Sequence, residues 1–203
     1  MQLEANNISF RYGHGPWILK DVSLWVEEGE RVGLVAPSGY GKSTLAKILA
    51  GYEKPTAGEV LLEGRPLPRK GYCPVQLVYQ HPEKAVNPRW KMKDILFEGW
   101  EPDEAFLEAM GIEQEWLSRW PAELSGGELQ RFCVARALGP RTKWLLADEI
   151  SAMLDVITQA QIWHLVLKAA EERGMGLLVV THNQALADRV CTRVIDLTTL
   201  NKL

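Results

Sequence analysis

The stretch Ala36-Pro37-Ser38-Gly39-Tyr40-Gly41-Lys42-Ser43-Thr44 limits the folds open to this chain more than any other. It follows a short apolar run, Arg31 to Ala36. It leads into Ser43 to Ala50, whose apolar residues fall at helical spacing, with Gly51 as a stop. The order is strand, glycine-rich loop, helix. Gly39 and Gly41 let the backbone N–H groups of such a loop turn inwards, and the helix N-terminus adds the positive end of its dipole. The arrangement makes a cradle for phosphate groups. Lys42 supplies a point charge for the β and γ phosphates, and the Ser43 hydroxyl is a ligand for Mg²⁺. Loops of this kind normally open on glycine, where this chain has Ala36. Pro37 biases its predecessor towards extended conformations that alanine adopts without strain, so the loop is expected to keep its shape.

The rest of the chain reads as an α/β protein built around that loop. Gln2 to Tyr12, Val22 to Val26 and Glu59 to Glu63 mix apolar and polar residues as half-exposed strands do. Leu77 to Tyr79 ends another strand. Lys143 to Ala147 and Leu177 to Thr181 are buried-strand runs, and Arg193 to Leu197 is the last strand. Asp155 to Arg173 is a long amphipathic helix closed by Gly174. Strands alternating with helices imply a largely parallel sheet covered on both faces. From His81 to Glu123 the character changes to short helical pieces, with Pro102-Asp103-Glu104 as a helix start. A helical insertion at roughly 81–135 therefore interrupts the α/β core. Four of the eight tryptophans, Trp90, Trp100, Trp116 and Trp120, lie in it. They form either a docking surface or a small helical core.

Bulk properties exclude several classes. The 203 residues suit one domain. A net charge of −3 gives no sign of a nucleic-acid binder. MQLEANNISF has no basic segment followed by an apolar run, so no signal peptide is expected. No stretch approaches the roughly 18 apolar residues of a membrane span. Cys73, Cys133 and Cys191 are far apart and odd in number, as reduced thiols of a cytosolic protein would be.

A second anion site decides among the many families that share a phosphate loop. In Leu124-Ser125-Gly126-Gly127-Glu128-Leu129-Gln130-Arg131, Ser125 caps a helix that continues through Leu138, and Gly126 and Gly127 allow close approach of a phosphate. One nucleotide has no use for two such cradles unless they come from different subunits. LSGGELQR resembles the signature motif of ABC (ATP-binding cassette) ATPases, and the resemblance runs over essentially the whole chain. It implies a P-loop NTPase cassette with a mostly parallel core sheet, an N-terminal antiparallel β part and a small helical subdomain. The core would span 1–80 and 136–203, and the helical signature subdomain 81–135. Tyr12 resembles the aromatic that stacks on adenine. Gln80 resembles the Q-loop glutamine that touches Mg²⁺ or the attacking water and links to the membrane partner. Leu145-Leu146-Ala147-Asp148-Glu149 resembles the strand whose Asp148 holds Mg²⁺ and whose Glu149 polarises water. Ala152-Met153-Leu154-Asp155 resembles the D-loop, with Asp155 at the nucleotide interface, and His182 resembles the switch histidine. The resemblance implies that Ala36 to Thr44 bind ATP in one subunit while Ser125, Gly126, Gly127 and Glu128 are lent to the other. Ile150 stands where the family usually has proline, which bears on the turn after Glu149 and so on the rate of hydrolysis.

Val78-Tyr79-Gln80-His81-Pro82, Val86-Asn87-Pro88-Arg89 and Phe132-Cys133-Val134-Ala135-Arg136-Ala137-Leu138 are similar to the peptide and nickel importer branch. The short stretch from Gln80 to Ser125 and the end soon after Leu197 differ from it. The resemblance implies an ATPase that pairs with itself or a sister cassette. It would act on integral membrane permease subunits, and indirectly on a solute-binding protein, at the inner face of the cell membrane and without nucleic acid. A soluble cassette docked on a non-transport enzyme complex is the alternative.

Overall fold

The computed structural model describes residues 1–152 and 154–203; Met153 of the D-loop segment lies outside the described residues. Two sheets carry the chain. The first is antiparallel, built from β1 (Gln2–Phe10), β2 (Leu19–Glu27), β4 (Ala57–Leu62) and the short β5 (Arg65–Pro66) in the order β2-β1-β4-β5. Alternation of buried and exposed residues along β2 gives it one face for the core and one for water.

The second sheet contains β3 (Arg31–Val35), β6 (Val75–Val78), β7 (Trp144–Asp148), β8 (Gly176–Thr181) and β9 (Arg193–Asp196). Its order is β6-β7-β8-β3-β9, with every pairing parallel. Both faces are covered, which explains why β7 and β8 are buried at every residue. On one face, Trp144, Leu146, Leu178 and Val180 pack with the antiparallel sheet and helix α1 (Lys42–Leu49). On the other, Leu145, Ala147, Leu177 and Val179 pack with most of the remaining helices. Gly176 is required by this packing, because a Cβ there would sit 2.4 Å from the Trp144 ring.

Between β6 and β7 the described chain forms helices and no strand: α2 (Met92–Phe97), α3 (Glu104–Ala109) and α4 (Gly126–Ala137), with one 3-10 turn before α2 and two between α3 and α4. Asp103 caps α3 by accepting from Phe106 N at 2.8 Å, as its sequence position predicts. The four tryptophans divide. Trp116 is buried, and Trp100 is half-buried with its indole N–H donating to Ala135 O at 2.9 Å. Trp90 and Trp120 are exposed. Arg131 ties this segment to α5 (Val156–Arg173), donating to Met110 O at 2.9 Å and to Gln161 at 3.1 Å. Two further helices, α6 (Gln184–Val190) and α7 (Leu197–Leu200), complete the chain.

Candidate functional site

Parallel register gathers the site. Val35 pairs with Thr181, Asp148 with Val180 and Val78 with Ala147, so the strands end side by side. Ligands of open parallel sheets bind beyond those carboxyl ends. The residues that follow them, Ala36 to Thr44, Gln80, Glu149 and His182, are the ones singled out by sequence.

The loop after β3 is shaped by its glycines and by its neighbour strand. Gly39 and Gly41 have φ of 84° and 89°. A Cβ on Gly41 would lie 2.9 Å from Leu19 and 3.0 Å from Ile18, so β2 presses directly on the loop. Ala36 is buried and outside the left-handed region, so it fits without the glycine usual at this place. Lys42 is 6% exposed, and its ammonium donates to Ala36 O at 2.7 Å and Pro37 O at 3.0 Å. Ile18, Ser38, Gly39, Gly41, Lys42, Ser43, Thr44, Gln80 and Glu149 line a hollow of about 350 Å³. Ile18 was not singled out from sequence. It lies just before β2, a place that says nothing about the loop it touches.

Five polar side chains converge at that hollow. Ser43 Oγ donates to Asp148 Oδ1 at 3.0 Å. Gln80 Nε2 donates to Glu149 Oε2 at 3.0 Å. His182 Nδ1 lies 2.9 Å from Glu149 Oε1. Burial pushes the Asp148 carboxyl above its usual range, opposed by the Ser43 hydrogen bond and raised further by the charge of Glu149. A buried aspartate beside a second carboxylate and a hydroxyl is a donor set suited to a hard dication. Glu149 has φ 48°, uncommon for a residue with a side chain, and such backbone strain costs on the order of 1–3 kcal/mol. Its N–H is held by Val180 O at 3.0 Å.

The remaining candidates lie outside the hollow's lining. Tyr12 follows β1, is 53% exposed and meets Phe10 edge-on at 4.8 Å between ring centres. Tyr40 is exposed at the crest of the loop, next to Pro37 and Ser38. Asp155 caps α5, accepting from Ile157 N and Thr158 N at 3.0 Å each; the Thr158 hydrogen bond leads in holding its carboxyl below the usual range. Ser125 and Glu128 form a reciprocal capping box at the start of α4. Ser125 N donates to Glu128 Oε2 at 2.7 Å, and Glu128 N donates to Ser125 Oγ at 3.3 Å. Gly126 has open space where a Cβ would stand. Gln130, which sequence reasoning passed over, is buried and donates to Tyr79 O at 3.1 Å, linking α4 to the residue before Gln80.

A profile of the ABC transporter family matches residues 19–152. The chain belongs to that family. The cassette is 35% identical over 219 residues to the nickel import ATP-binding protein NikE of Escherichia coli (strain K12), covering 95% of this chain and 82% of that protein. Among solved structures it resembles the ATP-binding cassette MJ0796 in a dimeric post-hydrolysis state bound to ADP and Pi. The TM-score there is 0.78 at 26% identity, over 96% of this chain and 93% of that one. A second dimeric structure of MJ0796, a bacterial ABC transporter cassette, gives a TM-score of 0.79 at 27% identity over the same shares. The cassette is thus an ATP-binding ATPase subunit with the ABC fold. Among the described residues no helix is long and apolar enough to cross a membrane.

Proposed function

We propose that this cassette powers an importer for nickel, peptides or a similar small solute, closing face to face on a second cassette around ATP. One observation carries the shared site. The capped, glycine-lined start of α4 is built as an anion cradle, yet none of Ser125 to Glu128 lines the hollow formed by the chain's own phosphate loop. A second subunit gives that cradle a use. The likeness to a nickel import protein supports the solute class, and the dimeric cassettes with the same fold support the pairing. The partner is a copy of this chain or a sister cassette. Permease subunits in the membrane receive the closure, with a solute-binding protein upstream, and the cassette works peripherally on the inner face. Residues 81–135 form the helical part that carries the signature turn between subunits.

In this reading the phosphates of ATP rest on the N–H groups of Ser38 to Thr44 and on Lys42, and adenine stacks on Tyr12. Ser43, Asp148 and Gln80 would hold Mg²⁺, which when bound neutralises charge on the β and γ phosphate oxygens. Glu149 takes or polarises the proton of the attacking water. Gln80 and His182, already hydrogen-bonded to its two oxygens, orient it, and His182 also steadies the γ-phosphate. Asp155 fixes the start of α5 at the edge of the interface. Positioning and charge stabilisation carry most of such a transfer.

Ser125→Arg tests the division of labour. ATP binding by the variant's own loop, read by calorimetry, should stay within about twofold, while turnover falls by roughly a hundredfold. Loss of binding in the altered subunit itself would contradict the shared site. Co-purification with an integral membrane protein from detergent-solubilised membranes tests the importer. Recovery with a soluble enzyme complex alone would point to the non-transport alternative.

A further inference from the structure

The carboxylate of Glu149 rides on a tight turn. Ala152 N donates to Glu149 O at 3.1 Å, which makes Ile150 and Ser151 the two central residues. Proline is favoured at the first central position because its ring presets φ. Isoleucine there leaves φ free, so the turn needs another restraint. It also carries a left-handed residue, Glu149, and such a conformation persists only where its surroundings impose it.

Solid packing supplies only part of that restraint. Ile150 is buried. Behind the turn, however, lies a cavity of about 220 Å³ lined by Glu149, Ile150, Ser151, Gln159, Trp163 and His182 among others. Two polar tethers cross from α5 to the same side chain at this wall. Trp163 Nε1 donates to Ser151 Oγ at 3.0 Å, and Gln159 Nε2 donates to it at 2.8 Å. Gln159 also reaches Ser151 O at 3.4 Å. Ser151 and Trp163 are 3% and 5% exposed, which shields the indole bond from bulk water, while Gln159 is half-buried. Gln159 and Trp163 are four residues apart and share one helix face, so both reach the turn from one rigid support.

We propose that Trp163 and Gln159 are positioning residues for Glu149: acting through Ser151, they hold the turn that proline would otherwise stiffen. The indole N–H is what matters at Trp163, and its ring alone does not suffice. The role in turnover rests on the assignment of Glu149 to the hydrolytic step; the restraint on the turn does not.

The test uses the full chain. Trp163→Phe keeps an aromatic ring, smaller than the indole, and removes the N–H. Turnover at saturating ATP should fall by about tenfold while KM for ATP stays within about twofold, because the phosphate loop is untouched. Amide exchange at Glu149 to Ala152 should quicken without nucleotide. Ile150→Pro in the Trp163→Phe background should slow that exchange and recover most of the lost rate. Ser151→Ala removes the shared acceptor by loss of one oxygen and serves if the ring change disturbs folding. It should lose at least as much as Trp163→Phe, and the two together should lose little more than Ser151→Ala alone. Unchanged exchange in both single variants overturns the proposal. Additive losses, or a loss that Ile150→Pro leaves uncorrected, do the same. Quickened and proline-rescued exchange with unchanged turnover would uphold the restraint and overturn its role in positioning Glu149, placing the fault in the assignment of the base.

Discussion

Glu149→Gln is expected to bind ATP and to lower turnover by at least about a hundredfold, the usual worth of a positioned general base. The substitution is nearly isosteric. The amide oxygen can still accept from Gln80, whose Nε2 now lies 3.0 Å from a Glu149 oxygen. What disappears is the basic oxygen and one negative charge beside Asp148, whose carboxyl that charge helps to raise. Loss of the charge eases the repulsion between this corner and the triphosphate. The variant should therefore accumulate as an ATP-bound dimer that fails to reopen. Single-turnover kinetics and size-exclusion chromatography with saturating MgATP read both effects. A variant that stays monomeric with the partner present would sink the face-to-face model, and one that hydrolyses at the parental rate would remove Glu149 as the base.

What could be read in the sequence was local punctuation. The strand and helix around the phosphate loop, the stop at Gly51 and the span of α5 between Asp155 and Gly174 all came through within about a residue or two. Each is set by neighbours in the chain: a cap, a glycine in the left-handed region, a run of apolar residues. Ser125 as a helix cap is of the same kind. The sheet order was not readable, because β3 lies between β8 and β9, partners more than 140 residues away in the chain, and nothing local specifies them. The short β5, α6 and α7 went unseen for want of length. Ile18 against Gly41, Gln130 against Tyr79 and Trp163 against Ser151 are contacts between distant segments, invisible to periodicity. The tryptophans of the helical segment illustrate the same limit. Composition left a docking surface and a core as alternatives, and the fold divides them, burying Trp116 and exposing Trp90 and Trp120.

Lys42→Ala should abolish turnover and remove ATP binding at concentrations that saturate the parent, while leaving the nucleotide-free chain at least as stable as before. The two signs come from one geometry. The Lys42 ammonium is buried, and among the described residues its hydrogen bonds go to two neutral carbonyls, Ala36 O and Pro37 O. Its charge also acts on the Asp148 carboxyl, which it helps to lower, but among the described residues it forms no ion pair, so the attraction recovers only part of its desolvation cost. Removing it from the free chain therefore costs little, since Lys42 itself borders a hollow from which water can enter the space it leaves. With ATP the balance reverses. The phosphates replace neutral carbonyls with anionic oxygens, and a charge-assisted hydrogen bond of this kind contributes roughly 1.5–3 kcal/mol. Because ATP stabilises the fold only to the extent that it binds the native state, the rise in Tm that ATP gives the parent should vanish in the variant. Differential scanning fluorimetry with and without MgATP separates the outcomes. An unchanged Tm without nucleotide and a lost ATP shift fit this role. A large fall in Tm without nucleotide would make Lys42 a structural residue of the loop, and parental turnover would remove the loop from the mechanism.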